Sequence, residues 1–81
     1  MDNFRYTDIL GYIVDNLVEH PDDVSITAVE SGDTVTLQLK VAPSDMGKVI
    51  GRQGRIAKEM RVLVKAAGQK ENKKIMVDIL D

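Results

Sequence analysis

The sequence contains no cysteine, no tryptophan, two prolines and three aromatic residues, Phe4, Tyr6 and Tyr12. Each scarcity excludes something. Without cysteine there is no disulfide scaffold, no thiol nucleophile and no thiolate-bound zinc. The single histidine, His20, cannot build a metal site of the usual kind, and no motif places a serine or a carboxylate pair for catalysis. No enzymatic activity, cofactor or small-molecule substrate is therefore expected. No apolar run approaches the roughly 18 residues of a membrane span. Nor does the N-terminus read as a signal peptide. The expected setting is the cytoplasm, with no membrane partner. The 81 residues suit one small domain over 1–81, since two cores do not fit in that length. All three aromatics fall in or beside the first helix, where packing is expected rather than stacking on a ligand.

What is present is charge, and it is unevenly spread. The net charge is −2. From Lys48 to Lys74, however, nine basic residues face two acids, a net of +7, and the remaining positions sum to −9. Such a molecule is electrically directional, with one segment suited to an anion and an acidic remainder.

The hydrophobic pattern predicts six elements. Ile9, Leu10, Ile13, Val14, Leu17 and Val18 form one apolar helical face, so a helix is expected from Asn3 or Thr7 to His20, ended by Pro21. His20 at its end would complement the helix dipole. Two strands follow, 24–29 and 35–41, the second strictly alternating, joined by turn residues Ser31-Gly32-Asp33 as a hairpin. Ser44 is placed to cap a short helix over 45–50. A longer helix over 55–67 buries Ile56, Met60, Leu63, Val64 and Ala67, with Gly68 as its C-cap. The alternating 74–80 segment is the last strand. The order α-β-β-α-α-β predicts an α+β fold, a three-stranded mixed sheet with three helices on one face.

Between the last two helices lies Val49-Ile50-Gly51-Arg52-Gln53-Gly54-Arg55. The glycines permit backbone angles that side chains resist and let another backbone approach closely. The second glycine precedes a helix N-terminus, where free N–H groups and the dipole favour an anion. Arg52 and Arg55 flank the turn and Lys48 stands one turn earlier. The spacing is not that of a P-loop, because no Gly-Lys-Ser/Thr follows.

This stretch resembles the V-I-G-x-x-G signature of the KH domain, and the element order resembles its type II form. More narrowly, the whole chain, above all 41–58 and 61–67, is similar to the bacterial KhpA family of stand-alone KH proteins. The resemblance implies a KH core over about 34–81 preceded by a helix-strand extension over 1–33. It implies binding of single-stranded RNA, about four nucleotides long, by the Gly-x-x-Gly turn. On that reading the contacts are Lys48, Val49, Ile50, Gly51, Arg52, Gln53, Gly54, Arg55 and Lys58. Val49 and Ile50 would supply an apolar wall, and the 37–41 strand the wall opposite. The resemblance further implies self-association, or pairing with a larger KhpB-like KH protein. It also implies a role as RNA chaperone or post-transcriptional regulator tied to cell elongation, division and wall homeostasis. One departure is Ala57, where many KH domains carry isoleucine; Ile56 precedes it and is open to a core, groove or interface role. Arg61 and Lys65 join Lys58 on the outer helix face, where charge suits solvent as well as RNA. The competing reading is a protein-interaction module of the same fold, with Ile56 and the first helix as contact and RNA incidental.

Overall fold

The computed structural model describes residues 4–80. Its elements follow the expected order: α1 (Phe4–Asp15), β1 (Ser25–Ser31), β2 (Thr34–Lys40), α2 (Met46–Ile50), α3 (Arg55–Gln69) and β3 (Lys74–Ile79), with single 3-10 turns at Pro21–Asp23, Pro43–Asp45 and Arg52–Gly54. A start at Asn3 and the packing of the Phe4 side chain lie outside the described residues.

Strict alternation sets the sheet. Val35, Leu37 and Leu39 of β2 have no exposed surface, because a strand sends every second side chain to one face. β2 pairs antiparallel with β1, Ser31 opposite Thr34, so Gly32 and Asp33 alone make the turn, and Gly32 takes φ +57°. β3 returns through α2 and α3 to pair parallel with β2, Val35 beside Ile75 and Leu37 beside Val77. The sheet order is β1-β2-β3, a mixed sheet with β2 in the centre. Helical residues Leu10, Val14, Val49, Met60 and Val64 cover one face and form the core with the inward strand residues. Burial of each such side chain contributes about 1.5–3 kcal/mol. On the other face Thr27, Val29 and Met76 are exposed.

Several local expectations are corrected. α1 stops at Asp15, not His20. The Asn16 side chain donates to the Tyr12 carbonyl at 2.7 Å, which competes with continuation of the helix. His20 is therefore not at a helix end; its backbone N–H donates to Asp45. Tyr12 is 74% exposed and does not pack on the core, whereas Tyr6 is buried and donates its hydroxyl proton to Glu71. Ser44 caps nothing: Asp45 stands at the N-cap of α2. Leu63, expected on the buried stripe, is 56% exposed. Gly68 lies inside α3, packed so tightly that a Cβ would meet Ile75 Cγ1 at 2.3 Å. The left-handed residue after the helix is Asn72, φ +58°, a residue type that tolerates that region.

Candidate nucleic-acid interface

The Gly51–Gly54 turn is built from backbone that ordinary residues avoid. Gly51 takes φ 76°, ψ 176°, a region open essentially to glycine alone. Gln53 takes φ 56°, ψ 26° and Gly54 φ 75°, ψ 13°. Three left-handed positions within four residues turn the chain sharply and push Arg52 and Gln53 outward, where both are exposed. Gly51 has a second reason to be glycine: a Cβ there would stand 2.6 Å from Ile56 Cγ1. Ile56 thus packs beneath the turn, and Ala57 takes the core position at 4% exposure. The open role of Ile56 is resolved as support of the loop.

The turn feeds directly into α3, whose N-cap Gly54 provides no side-chain hydrogen bond. The Arg55 N–H donates to the Arg52 carbonyl and the Gly54 N–H to the Gly51 carbonyl, so the turn's own backbone closes onto the helix, whose positive dipole end lies there. Arg52, Arg55 and Lys58 are exposed around it, and none forms an ion pair with another described residue. Lys48 is different. Its ammonium lies 3.5 Å from Glu19 and 3.7 Å from Asp45, so it is engaged in the fold. Val49 is also redirected: it has no exposed surface and anchors α2 in the core rather than forming a wall. Ile50 is partly exposed at the C-terminal end of α2.

The expected opposite wall, 37–41, is corrected too. β2 is hydrogen-bonded on both sides, and Leu37 and Leu39 are buried, so its backbone offers no free edge. The free edge beside α3 is β3. A cleft of about 100 Å3 separates Arg61 and Lys65 of α3 from Ile75, Met76 and Val77. Arg61 reaches across it, its Nε–H donating to the Val77 carbonyl at 3.2 Å. The basic residues Lys58, Arg61 and Lys65 therefore follow one side of α3 from the turn along the open strand.

Asp45 fixes this assembly from behind, and nothing in the sequence pattern marked it. It is the one charged residue buried among those described. Its two carboxylate oxygens accept the backbone N–H groups of Glu19 and His20 at 3.1 and 3.0 Å. Burial pushes its pKa up, but those two hydrogen bonds and the nearby His20 and Lys48 charges outweigh it and hold the carboxyl below its ordinary value. The loop after α1 is thereby tied to the root of α2. Among the described residues no cluster of side chains could hold a metal, and no helix is long and apolar enough to cross a membrane.

The mixed three-stranded sheet, the α-β-β-α-α-β order and the Gly-x-x-Gly turn between two helices define a KH-type domain of the type II order. A family model described as KhpA/KhpB, KH domain, matches residues 7–79. The RNA-binding protein KhpA of Clostridium acetobutylicum is 51% identical over 72 residues, covering 89% of this chain and 96% of its own. The protein of that name from Clostridium perfringens is 51% identical over 73 residues, covering 90% and 97%. That from Bacillus subtilis is 46% identical over 74 residues, covering 91% of each. No solved structure matches the chain. The chain belongs to the KhpA/KhpB family of KH domains.

Proposed function

We propose that the chain binds single-stranded RNA, with the Gly51–Gly54 turn against the sugar-phosphate backbone and the cleft between α3 and β3 beside the bases. The support is the turn itself: a glycine-framed loop leading into a helix N-terminus with no side-chain cap, beside Arg52, Arg55 and Lys58, cations with no ion-pair partner among the described residues. The names of the relatives agree with it. On this reading the KH core spans about 34–81 and the helix and strand of 1–33 are an extension of the fold. Arg52→Asp with Gln53→Asp tests the reading. Anisotropy of a labelled single-stranded RNA should show binding that weakens with salt and is lost in the double variant, while its circular dichroism is unchanged. Normal RNA binding by that variant overturns the clamp.

A four-nucleotide site with no aromatic stacking is weak alone, and a second linked site multiplies affinity. On this reading the chain acts as a pair, with its own copy or with a larger KhpB-like protein. It would serve as a cytoplasmic RNA chaperone or post-transcriptional regulator in cell elongation, division and wall homeostasis. The alternative, an interaction module, gains one observation: Val62 and Leu63 are 60% and 56% exposed on α3. Of the contact expected at Ile56 and the first helix, Ile56 is occupied beneath the turn, the first helix keeps Tyr12 exposed, and Val62 and Leu63 join it on this reading. Val62→Lys with Leu63→Lys should abolish self-association in sedimentation velocity if this face pairs two copies.

A further inference from the structure

We propose that the open edge of β1, on the side of the sheet away from the Gly51–Gly54 turn, docks an extended basic segment of another protein as a fourth strand. β1 is an edge strand of seven residues, Ser25–Ser31, in unbroken register with β2. Edges of this kind are usually blunted by lysine, proline or a bulge. β1 contains none of these, and its sequence Ser-Ile-Thr-Ala-Val-Glu-Ser is rich in β-branched residues. On the opposite edge the Val77 carbonyl is already taken by Arg61.

The surroundings of β1 set the chemistry of the occupant. Gly11 of α1 faces the strand, its Cβ direction 3.6 Å from Ile26 Cδ1. Asp8 and Asp15 lie three residues before and four after Gly11, so all three share one stripe of the helix. Both aspartates are exposed and form no ion pair with a described residue. Gly11 lets Ile26 of the strand approach the helix closely, and Asp8 and Asp15 stand on the same stripe before and after that contact. Asp22 and Asp23 add exposed charge just before β1. An added strand gains main-chain hydrogen bonds from β1, and alternate side chains point to the α1 side. Lysine or arginine at those positions meets Asp8 and Asp15. RNA is repelled by the same carboxylates. A second copy pairing through its own β1 would bring the same acids together. The occupant is therefore a basic strand from a different protein, and it leaves the α3 side free.

The test is an amide NMR titration of the full chain with a synthetic peptide of about nine residues, roughly one strand long, alternating lysine with valine or threonine. Saturable shifts and slowed amide exchange should centre on Ser25–Ser31. Replacing lysine by glutamate in the peptide, or N-methylating alternate peptide bonds, should abolish binding. At physiological salt, Asp8→Asn with Asp15→Asn should weaken it about tenfold and leave the fold and RNA binding unchanged. Shifts centred on α3 or the Gly51–Gly54 turn, undiminished binding of the N-methylated peptide, or no saturation at millimolar peptide overturns the proposal.

Discussion

At the scale of single residues, the glycines of the turn are not equivalent. Gly51 needs both its backbone angles and the space above Ile56, whereas a Cβ at Gly54 meets nothing within 4 Å. Left-handed backbone alone costs a non-glycine residue about 1–3 kcal/mol. Gly51→Ala should therefore destabilise more than Gly54→Ala in urea unfolding, and Ile56→Ala should recover part of the Gly51→Ala loss but none of the Gly54→Ala loss. Gly68 obeys a different rule. Alanine favours a helix by about 1 kcal/mol over glycine, yet here its Cβ would collide with Ile75 and stand 2.8 Å from the Lys73 carbonyl oxygen. Overpacking costs about 1–3 kcal/mol and wins, so Gly68→Ala should lower the urea midpoint. Asp45 adds a pH dependence. Its carboxyl pKa is lowered in the fold, so its stabilisation is present above the unfolded pKa, about 3.9. That stabilisation is lost as pH falls through the lower folded value. Asp45→Asn should be less stable than the parent at neutral pH and show a shallower acid limb, read from urea midpoints across the acid range.

At the scale of elements, the fold was legible where one signal acted alone. The alternation of Val35, Leu37 and Leu39 and the turn at Gly32 located the hairpin, because period two and a two-residue turn leave little choice. The signals that failed were those decided by distant partners. Leu17 and Val18 continue the apolar pattern of α1, but Asn16 ends the helix and Asp45, far along the chain, holds the loop that follows. Leu63 fits the apolar stripe by spacing, yet α3 turns it outward. The Gly-x-x-Gly turn itself was plain, since glycine pairs before a basic helix have few other uses. Its second wall was not, because which strand lies at the edge is a property of the sheet and not of any segment. The bond from Arg61 to β3 makes that placement testable. Arg61→Leu removes a half-exposed hydrogen bond worth about 1 kcal/mol and one cation beside the cleft. It should lower stability by about that amount. If Arg61 also meets a phosphate, the slope of log affinity against log salt for single-stranded RNA should fall by about 0.7.

At the scale of the whole molecule, charge is sorted across a body only 34 × 24 × 19 Å. Among the described residues, cations without an ion-pair partner gather on α3 and the turn before it, and acids without one on α1 and the Pro21–Asp23 turn. At physiological ionic strength the screening length is about 8 Å, so neither group feels the other strongly; at 0.01 M salt it is about 30 Å and spans the molecule. The acidic side should then slow the approach of RNA without touching it. Asp22→Asn with Asp23→Asn should raise the association rate for single-stranded RNA severalfold at low salt in stopped-flow anisotropy, leave the dissociation rate unchanged, and have no effect at physiological salt. Arg52→Ala should behave otherwise, weakening binding at both salts, chiefly by faster dissociation, because a residue in contact keeps its effect when the field is screened. A pair of variants that respond identically to salt would mean that RNA reaches the acidic side, and the division of this small domain into a binding half and an excluding half would be wrong.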